Sequence, residues 1–139
     1  MLRYLVSALL ISGSAAHAVE LHHVDVRTGT DGLSPLSLKL TNASSEAIAC
    51  SADIAHWYSV ELATAPPSAE IRIDLWFDPE TGTYSMLNDK RENLPVERLW
   101  CGFADRAYVT RSQIVLEPSA QAAERPVRCS GANGRLSCG

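Results

Sequence analysis

The sequence predicts an all-β protein: one antiparallel β-sandwich braced by a disulfide, followed by a flexible C-terminal tail. Three observations carry this prediction. Apolar and polar residues alternate with the two-residue period of strands through most of the chain. Clusters of turn-forming residues interrupt that alternation about every ten residues, and no stretch sustains a helical period.

The chain opens MLRYLVSALLISGSAAHA, with one positive charge at Arg3, an apolar run over residues 4–11 and small residues ending Ala16-His17-Ala18. This is the pattern of a secretory signal peptide, residues 1–18, and its apolar run is too short to span a bilayer. The domain proper is expected over residues 19–118, soluble in the periplasm or outside the cell, because no later segment is apolar enough to insert in a membrane.

LHHVDVRT (21–28) reads as a first strand. LSLKLT (36–41) is clearer, with Leu36, Leu38 and Leu40 on one face and Ser37, Lys39 and Thr41 on the other. The turn Asn42-Ala43-Ser44-Ser45 follows, built of residues that bond their own backbone. Asn42-Ala43-Ser44 also matches the glycosylation sequon, a pattern common by chance. AIACSADIAHWYSVEL (47–62) is read as one strand completing a hairpin, with Ile48, Cys50, Ala52 and Ile54 inward and Ser51 and Asp53 outward.

Pro66-Pro67 ends that pairing, since consecutive prolines cannot continue a ladder. EIRIDLWF (70–77) then alternates cleanly, Ile71, Ile73, Leu75 and Phe77 against Arg72, Asp74 and Trp76. DPETGT (78–83) supplies hairpin chemistry through Pro79 and Gly82, and TYSMLN (83–88) returns. A charged loop, NDKREN (88–93), leads to VERLWCGF (96–103) and to AYVTRSQIVLEP (107–118) as the last strand. From residue 119 only Val127 and Leu136 have much to bury, so residues 119–139 read as a mobile tail with a small disulfide loop. A short helix over residues 119–124 would end before Pro126.

The whole chain has 12 Lys+Arg against 16 Asp+Glu. A mildly acidic chain without a basic run argues against nucleic acid as a partner. The four cysteines, Cys50, Cys101, Cys129 and Cys138, all follow the signal peptide, and an even number in an oxidising compartment favours two bridges. Three pairings are formally open. Cys50 with Cys101 and Cys129 with Cys138 is preferred, because the first two sit in apolar strands and the second two close a Gly/Ser-rich loop.

LWCG (99–102) poses the sharpest choice. A reactive Cys101 needs a lowered pKa and a partner base, yet no histidine follows it in the chain. A structural bridge to Cys50, with Trp100 covering the sulfurs and Gly102 relieving a bulge or sharp turn, is the simpler expectation. His22, His23 and His56 are weak metal candidates for copper or zinc, because no recognised ligand spacing joins them. Asp74, Asp78 and Glu80 fit neither a carboxylate pair across a cleft nor a calcium loop. Sequence motifs for nucleophile elbows, zinc helices or phosphate loops are absent, so no enzyme activity and no cofactor is expected.

Trp57, Trp76, Tyr108, Arg106 and Arg111 are the residue types that anchor protein interfaces. They are read as a partner-binding surface, Trp76 because Leu75 and Phe77 already fill the inward phase; the alternative for Trp57 is that, with Tyr58, it closes one end of the sandwich core.

The stretch LSLKLTNASSEAIAC, a strand, an Asn-centred turn and a strand with an inward cysteine, resembles the early hairpin of immunoglobulin-like sandwiches in secreted bacterial proteins. The resemblance spans residues 21–118 and implies an immunoglobulin-like fold without implying a function. The expected role is a non-enzymatic periplasmic or secreted binding or accessory module whose partner is another envelope protein. Two alternatives stand beside it: an inhibitor or immunity-type protein acting through Lys90, Arg91 or Glu92, and a metal carrier using the three histidines.

Overall fold

The computed structural model describes residues 26–54, 58–119 and 123–139. Among the described residues nine strands form the framework: β1 (Ser34–Asn42), β2 (Ile48–Ile54), β3 (Tyr58–Ala65), β4 (Glu70–Asp78), β5 (Thr83–Leu87), β6 (Asn93–Phe103), β7 (Ser112–Ile114), β8 (Glu124–Ala132) and β9 (Arg135–Cys138). No helix occurs among the described residues. The chain is therefore all-β.

The strands belong to one sheet in the order β3-β2-β6-β5-β4-β1-β8-β9, with β7 beside β6. Residues 93–96 of β6 pair with β5, and its later part pairs with β2 on one edge and β7 on the other. The sheet must curl, as the cysteines show. β6 and β8 stand four places apart in that order, roughly 19 Å in a flat sheet. Yet the Sγ atoms of Cys101 on β6 and Cys129 on β8 lie within 4.8 Å of each other. A single core fills the space so enclosed, including Leu38 and Leu40 from β1, Ile54 from β2, Leu75 and Phe77 from β4, Leu99 from β6 and Val127 from β8.

The alternation predicted for residues 36–41 and 70–77 is the burial pattern observed, with Leu36, Leu38, Leu40, Ile73, Leu75 and Phe77 inward. Outward, Lys39, Arg72 and Asp74 join Glu124 in a charged ladder, Lys39 and Arg72 each reaching Glu124 at about 3 Å. These exposed pairs add little stability individually.

Asn42 is the exception to polar-outward. It is fully buried, and every polar atom it has is used. Its Nδ2 donates to the carbonyls of Glu46, Ala65 and Pro66, and its Oδ1 accepts from the backbone N–H and hydroxyl of Ser44. A side chain so enclosed holds the β1–β2 turn against the end of β3 and offers no site to a glycosyltransferase in the folded chain.

Both bridges join hydrogen-bonded neighbours: Cys50 on β2 faces Cys101 on β6, and Cys129 on β8 faces Cys138 on β9. Trp100 does not cover the sulfurs, contrary to the expectation. It precedes Cys101 on a strand, so it points to the opposite face and lies outside the core cluster.

Four other expectations are corrected. Residues 47–62 do not form one strand: β2 and β3 pair antiparallel, Ile54 opposite Tyr58. The last strand shrinks to β7, because residues 104–111 are folded as turns. The sheet is mixed and not purely antiparallel, since β8 runs parallel to β1. The segment from residue 124 onward is no loose tail but the hairpin β8–β9, while the expected short helix over residues 119–124 lies partly outside the described residues. β8 gains order from the β1 edge that β4 leaves open, and from Val127 and Cys129 in the core. The expected first strand lies partly outside the described residues; within them only Thr28 bridges, to Glu92.

Candidate surface site on the outer face of β2 and β6

The curled sheet has an outer side, and on β2, β6 and β7 it gathers polar and aromatic residues that the core cannot use. Asp53 of β2 stands between Ser59 of β3 and Arg98 of β6. Ser59 Oγ donates to Asp53 Oδ1 at 2.6 Å, the Trp100 indole N–H donates to the same oxygen at 3.2 Å, and Arg98 Nε lies 2.9 Å from Oδ2. The Ser59 hydroxyl bond foremost, aided by Trp100 and Arg98 and opposed by burial, holds the Asp53 carboxyl below its ordinary range. A bulge sets up this arrangement. Asp53 pairs with Arg98 and Ile54 with Val96, so Glu97 is the extra residue and both Glu97 and Arg98 are exposed.

Over this floor lies the segment 104–111, and Gly102 is what admits it. A Cβ on Gly102 would stand 2.0 Å from the carbonyl oxygen of Ala107 and 2.6 Å from two more backbone atoms of that residue. Glycine serves here for close backbone approach, where the sequence suggested relief for a bulge or turn. Thr110 fastens the loop by donating its hydroxyl to the Arg106 carbonyl while accepting the Phe103 N–H, each at 2.9 Å.

Arg106 belongs to the same fastening. Its NH1 and NH2 groups each meet a carboxylate oxygen of Glu46 at 3.1 Å, NH1 also reaches Asp105 at 2.7 Å, and the guanidinium sits 4.8 Å above the Phe103 ring. The Glu46 hydrogen bond, then Asp105, push its pKa up further. Its charge is thus engaged within the chain, and the expected contact role does not follow from its placement.

Tyr108 is the product of this construction. Its ring meets Trp100 edge to face with centroids 6.2 Å apart, and the Arg111 guanidinium lies 4.1 Å over its centroid. Arg111 is fixed in turn by donating to the Tyr108 carbonyl at 2.6 Å. Tyr108 nonetheless remains 67 % exposed, beside Val109 at 80 %, and Tyr58 across the face is 53 % exposed.

Three hollows run together along this side. One of about 190 Å³ is lined by Asp53, Arg98, Trp100, Tyr108, Arg111 and Gln113. The next, about 240 Å³, shares Asp53, Arg98 and Tyr108 with it and reaches Tyr58. Beyond Tyr58 opens a groove of about 450 Å³ whose apolar part is Val26, Leu33, Ile54, Leu94 and Pro95. A further hollow, of about 430 Å³, lies along β6 and β7 and lacks these aromatics.

Of the residues singled out in the sequence, the structure brings Tyr108 and Arg111 together. Trp76 is half-buried between Pro35 of β1 and Ser85 of β5, on the face of the charged ladder, and lines none of these hollows. Trp57, His56, His22 and His23 lie outside the described residues. Among those described, the one grouping of three metal-ligand types is Cys101, Cys129 and Cys138, all engaged in bridges. Asp53, Arg98, Gln113 and the outward Trp100 were missed. Strand period alone would have placed Trp100 opposite Cys101.

Fold and site together define a class: an all-β, two-disulfide chain carrying an aromatic and cationic surface site. Comparison with protein-family models, with curated proteins and with solved structures finds no match.

Proposed function

We propose that the chain is a non-enzymatic binding or accessory module of the periplasm or extracellular space that docks another envelope protein through the Tyr58–Trp100–Tyr108–Arg111 face. One observation carries the reading: Tyr108 is largely exposed yet held in one orientation by Trp100 below and Arg111 above. A fixed exposed tyrosine offers large contact area with little ordering cost on binding, and arginine beside it supplies directed donors. Two disulfides agree with secretion into an oxidising compartment. The immunoglobulin-like arrangement expected from the sequence belongs to the same proposal, supported by the bridge from the inward Cys50 on β2 to Cys101 on β6; the β1–β2 hairpin that suggested it is not formed, since β1 pairs with β4 and β8.

A second reading has its own observation. The loop 88–93 is braced by hydrogen bonds: Asn88 Oδ1 accepts the N–H groups of Lys90 and Glu92, and Gly29 N–H donates to the Arg91 carbonyl. A braced loop presenting Lys90 and Arg91 suits an inhibitor of an envelope enzyme.

Affinity capture from envelope extract with the wild-type chain, Tyr108→Ala and Lys90→Ala/Arg91→Ala separates the two. The face reading expects Tyr108→Ala to weaken capture of a specific protein by about 30-fold or more while the loop variant keeps it. Loss only in the loop variant transfers the function to that loop. Equal capture by all three overturns both readings.

A further inference from the structure

Sulfurs of two different bridges meet inside the core. The Sγ atoms of Cys101, Cys129 and Cys138 all lie within 4.8 Å of one another, although Cys101 is bonded to Cys50 and Cys129 to Cys138. Their access to solvent differs. Cys50, Cys101 and Cys129 are fully buried, whereas Cys138 is partly exposed on β9, the last strand of the sheet order. That strand meets β7 through the Cys138 N–H, which donates to Ser112 Oγ at 2.9 Å.

We propose that the two bridges form one thiol–disulfide exchange site, in which a dithiol reductant acts at Cys138 and the buried Cys50–Cys101 bridge is opened from within by Cys129. A thiolate must touch the sulfur it attacks, and no outside thiolate can touch Cys50 or Cys101 in the folded chain. Cys138 is the sulfur it can reach.

The steps balance. One thiolate of the dithiol attacks Cys138 Sγ, the Cys129–Cys138 bond breaks, and Cys129 leaves as a thiolate. The second thiolate of the reductant then attacks its own sulfur in the mixed disulfide, closes a cyclic disulfide and releases Cys138 as a thiolate. Two electrons have passed from the dithiol to the protein. The Cys129 thiolate, within 4.8 Å of Cys101 Sγ, attacks it; a Cys101–Cys129 bond forms, the Cys50–Cys101 bond breaks and Cys50 leaves as a thiolate. This last exchange transfers no net electrons.

The new bridge would tie β6 to β8, which are neighbours only because the sheet curls, and would leave β2 held to β6 by their hydrogen-bonded ladder alone. β2 and β6 carry Asp53 and Trp100, so exchange in the core would act directly beneath the outer face.

The test is to treat the folded, oxidised chain with one equivalent of dithiothreitol, trap thiols with N-ethylmaleimide over time and map the unreduced peptides by mass spectrometry. Chains alkylated at Cys50 and Cys138 with Cys101 linked to Cys129 are expected. Reduced chains alkylated only at Cys129 and Cys138, with Cys50–Cys101 intact and no Cys101–Cys129 linkage at any time, would overturn the proposal. The Cys129→Ser/Cys138→Ser variant, first shown by circular dichroism to be folded, keeps the deep bridge and lacks the internal thiolate. Its Cys50–Cys101 bridge is expected to open about tenfold more slowly than in the wild type, since a held nucleophile outpaces a free one. Opening at the wild-type rate or faster would also overturn the proposal.

Discussion

Trp100 and Cys101 are consecutive in β6, and they serve two regions of opposite character. Cys101 faces inward to a buried core where apolar side chains and two disulfides pack around it. Trp100 faces outward to a floor of Asp53, Arg98 and Gln113, with Tyr108 resting on its edge. The inner side is held by burial and covalent bonds. The outer side is held by hydrogen bonds, a cation over a ring and the absence of a Cβ at Gly102. One strand therefore carries fold on one face and recognition on the other, and substitutions should separate the two.

The largest effect belongs to the inner side. Replacing Cys50 and Cys101 together by alanine removes a bridge that closes a 51-residue separation and should cost about 2 to 5 kcal/mol of stability, read from the denaturant midpoint. Folded protein of this variant should keep the Trp100–Tyr108 contact, visible as a nuclear Overhauser effect between the rings. Loss of that contact in still-folded protein would show that the two sides are not separable.

Gly102→Ala should do the reverse. The added methyl meets backbone of Ala107, which cannot swing aside as a flexible side chain would, so segment 104–111 must lift. Overpacking of this kind costs about 1 to 3 kcal/mol. The more telling result is loss of the Trp100–Tyr108 contact, and with it partner capture, in a chain whose core stays ordered. An unchanged contact would show that the loop is not seated by Gly102.

How much of this was legible depended on which physical signal each element leaves in sequence. Leu36, Leu38 and Leu40, or Ile73, Leu75 and Phe77, repeat at the strand period because one face of each strand is buried, so their strands could be read directly. β8 and β9 bury little besides Val127, Cys129 and Leu136, so composition suggested a tail. A local signal was there: Asn133-Gly134, both with positive φ, forms the two-residue turn of the β8–β9 hairpin. The run 47–62 carries no Gly or Pro where β2 ends, so one strand was read where two occur. The site was the least legible part. Asp53, Ser59 and Arg98 come from three strands, and strand order is not written in periodicity. Tyr108 and Arg111 were visible as residue types; what fixes them, Gly102 and Thr110, acts through backbone contacts that sequence pattern does not record.

The smallest effect, and the sharpest probe of the outer side alone, is the titration of Asp53. Its ordinary value of 3.8 is lowered, first by the Ser59 hydroxyl and then by Trp100 and Arg98. Folding therefore favours the carboxylate, and the stability this contributes is fully present above the unfolded value and lost as pH falls through the lower folded value. The Trp100 indole N–H donates to that carboxylate, so its proton shift should report the change with a midpoint below 3.8 and stay flat from about pH 5 to 8. Ser59→Ala removes the largest cause and should move the midpoint up; Asp53→Asn should abolish the transition at Trp100. A wild-type midpoint at or above 3.8 would mean that the carboxylate is not gripped by its three donors. The outer face would then be a loose collection of surface residues, and Tyr108 would lose the ordered floor on which its role as an anchor depends.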